Sequence, residues 1–430
     1  MVKLKSVTIE NYRAIENLEL PLDPTLTVLH GANGHGKTSV LSAISVGLRE
    51  SLESFLDELS FDLSEEDWRE GAASPRIVVE SIDGIIGERR GDKATDEREE
   101  AQRIAVNDAM RSGLEEALAT REEDMPIVAF YGTDRMLSDI PDWVLSQRGS
   151  QYEPSRRDAL KGALAHTDFE DLLTWFYFKE NEELRERRER RDFDYQLKDV
   201  SVIRQAISSM LPEVSDPRIE LNPLRFVVSQ KSEEGRVEKL SLNQLSGGYR
   251  IVLALAADLA RRRAQGNPHM DNPLQSEAIV LIDEIELHLH PAWQQRILND
   301  LMRTFPNAQF IVSTHSPQVL TTVEPKHIIV ELYRDDDNIA TGAPAGATYG
   351  AEAGDVLAAV MHVSERPPDN KFTEALDQYR RLVSEGKGET KEALKLRRKL
   401  EKLSPRDYAL ISADLEIKQR KLFKQMAESQ

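Results

Sequence analysis

The sequence contains no cysteine in its 430 residues, few aromatic residues and no long apolar run. Without cysteine the chain can form neither disulfides nor thiolate metal sites, which fits a reducing compartment. The first residues are charged and lack the apolar core of a signal peptide. No stretch provides the roughly 18–20 apolar residues that cross a bilayer. We therefore expect a cytoplasmic protein that makes no membrane contact.

Acidic residues outnumber basic ones by 75 to 56, and the formal net charge is −19. This balance argues against a chain coated in a basic, nucleic-acid-binding surface. The charge is uneven, because residues 371–430 contain 15 Lys or Arg against 10 Asp or Glu, whereas residues 50–70 are strongly acidic. Two interpretations remain open: solvated helix faces, or a C-terminal tail that contacts nucleic acid or an acidic partner.

The segment GANGHGKTS at 31–39 fits the phosphate-binding pattern G-x-x-x-x-G-K-[ST] and lies between an apolar strand pattern and a helix pattern. Glycines let the loop backbone curl so that its N–H groups point at phosphates, and the helix N-terminus adds its positive dipole end. Lys37 is expected to reach the β- and γ-phosphates of ATP, and Thr38 to bind Mg²⁺. The candidate nucleotide-binding residues of this loop are Gly31, Asn33, Gly34, Gly36, Lys37, Thr38 and Ser39.

The segment AIVLIDEIE is a continuous apolar run, typical of a strand buried on both faces of a parallel sheet, and it ends in two adjacent acids. Asp283 is expected to hold Mg²⁺, directly or through water. Glu284 is placed to polarise the attacking water, since phosphoryl transfer depends on positioning and charge stabilisation. Together with the loop at 31–38, this strand end predicts an ATPase.

Two further motifs have both a structural and a functional interpretation. In LSGGYR at 245–250, Ser246 could simply cap a helix, or Ser246, Gly247 and Gly248 could bind a γ-phosphate at that helix N-terminus. In STHSP, His315 could be a structural residue, or a switch that contacts the γ-phosphate. We favour the functional interpretation of both because the other motifs are present.

The ordered motifs IENYRAI, GANGHGKTS, LSGGYR, LIDEIELHLHP and STHSPQVL resemble the ABC-type ATPases of the RecF/SMC-like and OLD-like group. FYGTDR at 130–135 is similar to a strand-end motif of bacterial members. The resemblance implies ATP and Mg²⁺ as cofactors and places Arg13 near the nucleotide. It also implies a homodimer or higher oligomer whose heads sandwich ATP, with the segment at 245–250 acting on the nucleotide of the partner.

The tail contains ERPPD at 365–369 and KLSPRDYALISADLEIKQ at 402–419, and it resembles ATPase subunits of Septu-type and retron-associated anti-phage systems. That resemblance implies a separate nuclease or other effector protein. The alternative is a DNA-repair or DNA-clamp ATPase of the RecF/SMC type, which would bind DNA directly. No nuclease activity is expected in this chain, because outside the ATP site it offers only the acids at 335–337. The basic tail and the lobe at 140–225 are predicted to be docking surfaces, and Leu396, Leu400 and Leu403 are predicted to form one helical face of the tail.

The alternation of strand and helix patterns predicts an α/β fold with a parallel-sheet core and an antiparallel or mixed N-terminal sheet. By the resemblance, this is an ABC-type P-loop NTPase head. Its first half is expected at 1–139, with a charged helical insert at about 86–125, and its second half at 226–345. A helical insertion lobe is expected at 140–225, and a helical, locally basic C-terminal extension at 346–430.

Overall fold

The computed structural model describes residues 3–52, 67–72, 74–82, 84–90, 114–120, 122–135, 154–164, 169–232, 234–336, 338–364 and 366–428. The chain divides into two compact units, Met1–Val356 and Leu357–Gln430. In the part of the chain so described, no helix is long and apolar enough to cross a membrane.

A six-stranded sheet forms the core of the first unit. In order across the sheet, its strands are β13 (Asn338–Gly342), β12 (Ile328–Asp335), β3 (Leu26–His30), β11 (Ala308–Thr314), β10 (Ala278–Ile282) and β6 (Ile127–Tyr131). Five of these strands run parallel, and β13 pairs antiparallel with β12. Every residue of β3, β6, β10 and β11 is buried, as expected for a parallel sheet covered on both faces.

A four-stranded antiparallel sheet is formed mainly by the N-terminal residues, as predicted. Its order is β2 (Ile15–Pro21), β1 (Leu4–Tyr12), β4 (Arg76–Ser81) and β5 (Gly84–Arg90). Helix α1 (Lys37–Leu52) follows the phosphate-binding loop and packs on this sheet. Gly47 of α1 and Gly87 of β5 bring the two backbones together, because a Cβ on Gly87 would lie only 2.0 Å from the Gly47 carbonyl oxygen.

The predicted insertion lobe at 140–225 is helical in its described middle part and ends in a strand. Helices α2 (Glu170–Arg190) and α3 (Lys198–Met210) are followed by a three-stranded antiparallel sheet of β7 (Val214–Leu221), β8 (Leu224–Lys231) and β9 (Val237–Ser241). The three-stranded sheet thus begins within the predicted lobe and continues past residue 225 into the second half of the head. Most of the predicted helical insert at 86–125 lies outside the described residues; 114–119 are helical, but 86–90 belong to strand β5, where the helix prediction was wrong.

The described residues of the second half of the head form one long α-helix and three short ones. They are α4 (Gly247–Gly266), α5 (Pro291–Gln294), α6 (Ile297–Thr304) and α7 (Pro317–Leu320). The long helix α4 begins at the segment 245–250, so the predicted turn from this motif into a helix is present.

The C-terminal extension is helical, as predicted, and residues Leu357–Gln430 form a compact unit of their own. Its helices are α8 (Ala353–Ala359), which spans the division between the units, α9 (Lys371–Ser384), α10 (Lys391–Leu403) and α11 (Tyr408–Glu428). The side chains of Asn370 and Thr390 cap α9 and α10 by accepting hydrogen bonds from backbone N–H groups.

The prediction that Leu396, Leu400 and Leu403 form a docking face is wrong. Leu400 is fully buried in the core of the C-terminal unit, and Leu396 packs against the same core, whereas only Leu403 is exposed. The helical spacing was correct, but the leucines face their own unit because α9 and α11 supply apolar partners. The buried members of this core are Ala375, Leu376, Tyr379, Val383, Ala393, Leu400, Ala409, Leu410 and Ala413.

Candidate nucleotide-binding site

The loop between β3 and α1 has the geometry of a phosphate-binding loop. Gly31 must be glycine, because its φ is +152° and a Cβ there would lie 2.2 Å from the carbonyl oxygen of Leu332. The Lys37 ammonium donates hydrogen bonds of 2.9 Å to the carbonyls of Gly31 and Ala32, so it lies over the loop. Burial lowers the pKa of Lys37, although the charges of Asp283, Glu284 and Glu286 oppose this shift. The loop thus presents a buried cation at the start of α1, with 5% of Lys37 exposed.

Thr38 and Asp283 meet at the carboxyl ends of the parallel strands, although 245 residues separate them. Thr38 Oγ1 donates to Asp283 Oδ2 at 2.7 Å, and Ser313 Oγ donates to the other carboxylate oxygen. A hydroxyl and a carboxylate at this distance are the oxygen donors that Mg²⁺ prefers, with its remaining positions left to water and phosphate. The residues present therefore fit a magnesium site.

Glu284 follows the end of β10 in the left-handed region of backbone space, with φ of +46°. Its N–H donates to Ser313 Oγ at 2.8 Å, so one hydroxyl holds both Asp283 and Glu284. This conformation is unfavourable for a residue with a side chain and persists only where the surroundings fix it. The hydrogen bond from Glu284 to Ser313 is one of the contacts that do so.

Arg135 supplies the other contacts that fix the end of β10. Its guanidinium is buried, with 2% of the residue exposed, and donates to the carbonyl oxygens of Asp283 and Glu284 as well as to Gly132 at 2.8 Å. Burial lowers the pKa of Arg135 to about 10, so it remains charged at neutral pH. The end of β6 therefore holds the end of β10 through side chain to main chain hydrogen bonds.

His315 lies beyond the end of β11, and Glu286 fixes its backbone. The carboxylate of Glu286 accepts from the His315 N–H at 2.5 Å and from Thr314 Oγ1 at 2.7 Å. Burial lowers the pKa of the His315 imidazole, and the charge of Lys37 lowers it further, against the opposing effect of three nearby carboxylates. The neutral ring is therefore favoured at pH 7.

One cavity of about 360 Å³ brings most of the predicted site residues together. Asp283 and Gly31 are not among its lining residues; Asp283 reaches the site through Thr38. Arg13 arrives from the turn between β1 and β2, where it has φ of +52° and forms an ion pair with Asp67 at 2.9 Å. The described lining residues are Arg13, Ala14, Asn33, Gly34, Gly36, Lys37, Thr38, Ser39, Glu284 and His315.

Ser246, Gly247 and Gly248 do not line this cavity. Ser246 is the N-cap residue of α4, but its side chain makes no capping hydrogen bond. Gly248 packs closely on the segment after Glu286, since a Cβ there would lie 3.0 Å from the His288 carbonyl oxygen. The structure thus separates the motif at 245–250 from the residues that surround Lys37 in the same chain.

Sequence reasoning missed Arg135 and Ser313 as site residues. FYGTDR at 130–135 was noted as a motif, but nothing in it shows that Arg135 reaches carbonyls 148 and 149 residues away. Ser313 is the first residue of STHSP, and its place at the end of β11, which pairs with β10, could have signalled contact with Asp283.

The chain is similar to several proteins of known family. A retron Ec83 probable ATPase of Escherichia coli is 40% identical over 224 residues, which cover 52% of this chain and 40% of that protein. A retron Vc95 probable ATPase of Vibrio cholerae serotype O1 biovar El Tor is 28% identical and covers 93% of this chain and 87% of that protein. The Septu protein PtuA of Bacillus mycoides is 32% identical and covers 33% of this chain and 20% of that protein.

These relatives confirm the resemblance to ATPases of retron and Septu systems that was based on the motifs and the tail. A family model described as "AAA domain, putative AbiEii toxin, Type IV TA system" matches residues 26–321, which contain the phosphate-binding loop, the segment 245–250, Asp283, Glu284 and His315. With its P-loop α/β head, the chain belongs to this AAA-domain family.

Proposed function

We propose that the chain binds ATP with Mg²⁺ and hydrolyses it. The observation that carries this proposal is the cavity at which the loop 31–38, Glu284 and His315 meet. Phosphates at this loop would meet backbone N–H groups, the N-terminus of α1 and the Lys37 ammonium. Thr38 and Asp283 would hold Mg²⁺, which neutralises phosphate charge when it is bound.

In this proposal Glu284 orients the attacking water and accepts its proton, and neutral His315 contacts the γ-phosphate. Both roles need fixed positions more than special reactivity, because the barrier is lowered by alignment and charge stabilisation. The structure supplies such fixation through Ser313 and Arg135 for Glu284, and through Glu286 for His315.

The test compares Glu284→Gln with Lys37→Ala. The Gln variant keeps the shape of the side chain but loses the carboxylate, so kcat should fall about 100-fold or more while ATP still binds. The Lys37→Ala variant should lose ATP binding itself. Glu19→Gln, at an exposed position of β2, is the matched control and should leave both unchanged. Phosphate release and equilibrium ATP binding are the measurements, and normal turnover in Glu284→Gln would refute its role.

We also infer that the working unit is a dimer in which residues 246–248 of one copy complete the ATP site of the other. Support comes from the absence of these residues from the lining of the cavity in their own chain. Equal amounts of inactive Lys37→Ala and Ser246→Arg proteins form heterodimers with one intact site and one doubly damaged site. Random pairing should restore about a quarter of the wild-type turnover. Proven heterodimers without recovery would contradict independent composite sites.

The cellular role we propose is to sense or gate a separate nuclease or other effector protein in anti-phage defence. The support is that relatives carry retron and Septu names. Co-expression with the product of the adjacent gene tests this role: a nuclease that co-purifies and whose DNA cleavage depends on ATP is the expected result. An adjacent replication or repair gene, with ATP-dependent DNA binding by this chain alone, would instead favour the DNA-clamp alternative.

A further inference from the structure

Helix α10 carries a row of positive charges on its outer face. Its inner face packs in the core of the C-terminal unit through Ala393 and Leu400. On the other side lie five exposed cationic side chains, which at 100° per residue fall within an arc of about 100°. They extend over about 16 Å of the helix. We call these five residues the basic face: Lys391, Lys395, Arg398, Lys399 and Lys402.

The basic face is not neutralised by neighbouring acids. Among the residues that the structure describes, none of its five side chains forms an ion pair. By contrast Arg397, on the same helix, contacts Asp414 at 2.8 Å and Glu401 at 3.0 Å. The two acidic residues of α10, Glu392 and Glu401, lie outside the arc that contains the five cations. The basic face therefore presents its charge to solvent, where a partner can bind it.

The composition of the basic face favours a nucleic acid over an acidic protein. Protein interfaces have an apolar centre and are poor in lysine, whereas four of these five residues are lysine and none is apolar. One strand of duplex DNA carries a phosphate about every 3.4 Å along the axis, so a row of about 16 Å passes about five phosphates. The number and spacing of the cations thus match those of the phosphates.

The shape of the basic face favours duplex DNA over other nucleic acids. Single-strand sites stack bases on aromatic side chains, and residues 391–403 contain no aromatic residue. The major groove of B-form DNA admits an α-helix, whereas that of A-form RNA is too deep and narrow to be reached. The exposed residues of α10 extend from Glu401 through the basic face to Leu403, an arc of about 200°. Enough of the helix surface is therefore open to enter a groove.

We propose that the basic face of α10 binds the phosphates of double-stranded DNA. Such contacts position a duplex without reading its sequence. The net charge of −19 does not prevent them, because exposed charges more than about 10 Å apart are largely screened at 0.1 M salt. The basic face contains no residue of the nucleotide site. DNA binding is therefore expected without ATP and does not depend on ATP hydrolysis.

The first experiment measures binding of a short fluorescent DNA duplex to the full chain by anisotropy, without nucleotide and over a series of salt concentrations. With five phosphate contacts, log K should fall with log salt with a slope of about −4.5. The triple variant Lys395→Gln, Arg398→Gln and Lys402→Gln keeps two of the five cations. Its slope should be about −2, and its Kd at about 0.1 M salt should rise on the order of 100-fold. Glutamine is a good helix former, so α10 should persist.

The matched control removes three positive charges from the same unit but none from the basic face. Lys371→Gln, Arg381→Gln and Lys387→Gln change exposed residues outside α10, and this variant should keep the slope and a Kd within about threefold of wild type. In a second control, arginine replaces the four lysines of the basic face, which keeps every charge and should keep DNA binding. Equal circular dichroism spectra of all the proteins check that the helices are retained.

The second experiment identifies the class of partner by competition against the fluorescent duplex. At equal concentration of negative charge, unlabelled duplex DNA should displace it more effectively than single-stranded DNA, duplex RNA or poly-glutamate. More effective displacement by poly-glutamate would mean an acidic protein partner and would overturn the proposal. Displacement by single strands or duplex RNA that equals or exceeds that by duplex DNA would overturn the choice of duplex DNA.

Three further results would overturn the proposal. The wild type could fail to bind the duplex, or the triple variant could bind it as tightly as the wild type. The duplex could also bind only in the presence of ATP and equally well to the triple variant, which would locate the DNA site elsewhere and favour the DNA-clamp alternative. A wild type without ATPase activity should still bind DNA, so failure of the proposed hydrolysis and failure of DNA binding are distinguishable.

Discussion

The nucleotide site and the C-terminal unit are held together by different kinds of contact. At the nucleotide site, side chains far apart in the sequence meet through buried hydrogen bonds, as Thr38 and Arg135 do with Asp283. In the C-terminal unit, neighbouring helices pack an apolar core and are joined by partly exposed ion pairs such as Arg366–Asp407 at 2.9 Å. The first arrangement depends on exact atomic positions, whereas the second depends on buried volume.

This difference predicts opposite sensitivities. Small changes of shape at the nucleotide site should reduce turnover without a comparable loss of stability. Truncations in the core of the C-terminal unit should reduce its stability without changing the chemistry of ATP.

The largest effect is expected for Leu400→Ala in the C-terminal core. Removing a fully buried leucine side chain should lower the free energy of unfolding by about 3 kcal/mol. Leu394→Ala, on the same helix but 46% exposed, is the matched control and should cost less than about 0.5 kcal/mol. Hydrogen exchange of residues 371–428 measures the change, because a chain of two units need not unfold in one step. Equal effects of the two substitutions would contradict the buried core.

An intermediate effect is expected for Arg135→Lys. A lysine ammonium cannot reproduce the planar fork that donates to the carbonyls of Asp283 and Glu284. We expect kcat to fall about 30-fold through misplacement of Glu284, with ATP affinity changed less than about twofold.

The control for Arg135→Lys is Arg263→Lys. Arg263 is also buried and donates to one backbone carbonyl, that of Leu274, which is not part of the segment that carries Asp283 and Glu284. The Arg263→Lys variant should lose stability but keep the wild-type kcat. A similar fall in kcat in both variants would mean that Arg135 acts only on stability and does not position Glu284.

The smallest effect concerns the ionisation of His315. Burial and then the charge of Lys37 lower its pKa below the ordinary 6.5. Lys37→Met should therefore raise the pKa of His315, as followed by NMR of labelled histidine with His315→Gln for assignment. An unchanged or lowered value in Lys37→Met would contradict the proximity of the two side chains.

The lowered pKa of His315 also determines how the free energy of unfolding changes with pH. Because the folded pKa is lower than the unfolded one, the unfolded chain binds the proton more readily as the pH falls. The contribution of neutral His315 to the free energy of unfolding is therefore complete above about pH 6.5 and is lost progressively below it.

The predictable part of the molecule is the part where chemistry dictates residue type. Phosphate binding requires the glycines and Lys37, and the ends of buried strands locate Asp283, Glu284 and His315, so the sequence brings these residues to one edge of the sheet. Arg135 was not predictable, because its partners are carbonyl groups, which any residue supplies. Its role depends on β6 lying next to β10, which the chain order does not reveal.

In the C-terminal unit, periodicity predicted the helices but not which apolar face each one buries. Helix α10 places Leu400 inward, and α11 has two apolar faces, so spacing alone could not separate core from surface. The insertion lobe shows the same limit: its helical pattern was visible, but the sheet that begins at Val214 depends on pairing with β8 and β9.

The contact between Gly47 and Gly87 has a mechanical consequence. The backbones of α1 and β5 are in direct contact at these glycines, with no side chain of either residue between them. The helix therefore cannot shift over the antiparallel sheet by rearranging side chains at this point. A displacement of the phosphate-binding loop would thus move α1 and the antiparallel sheet together, including the β1–β2 turn and Arg13. A methyl group on Gly87 would clash with the Gly47 carbonyl oxygen, and one on Gly47 would lie 2.4 Å from Val79 Cγ2, so either would push α1 away from the sheet.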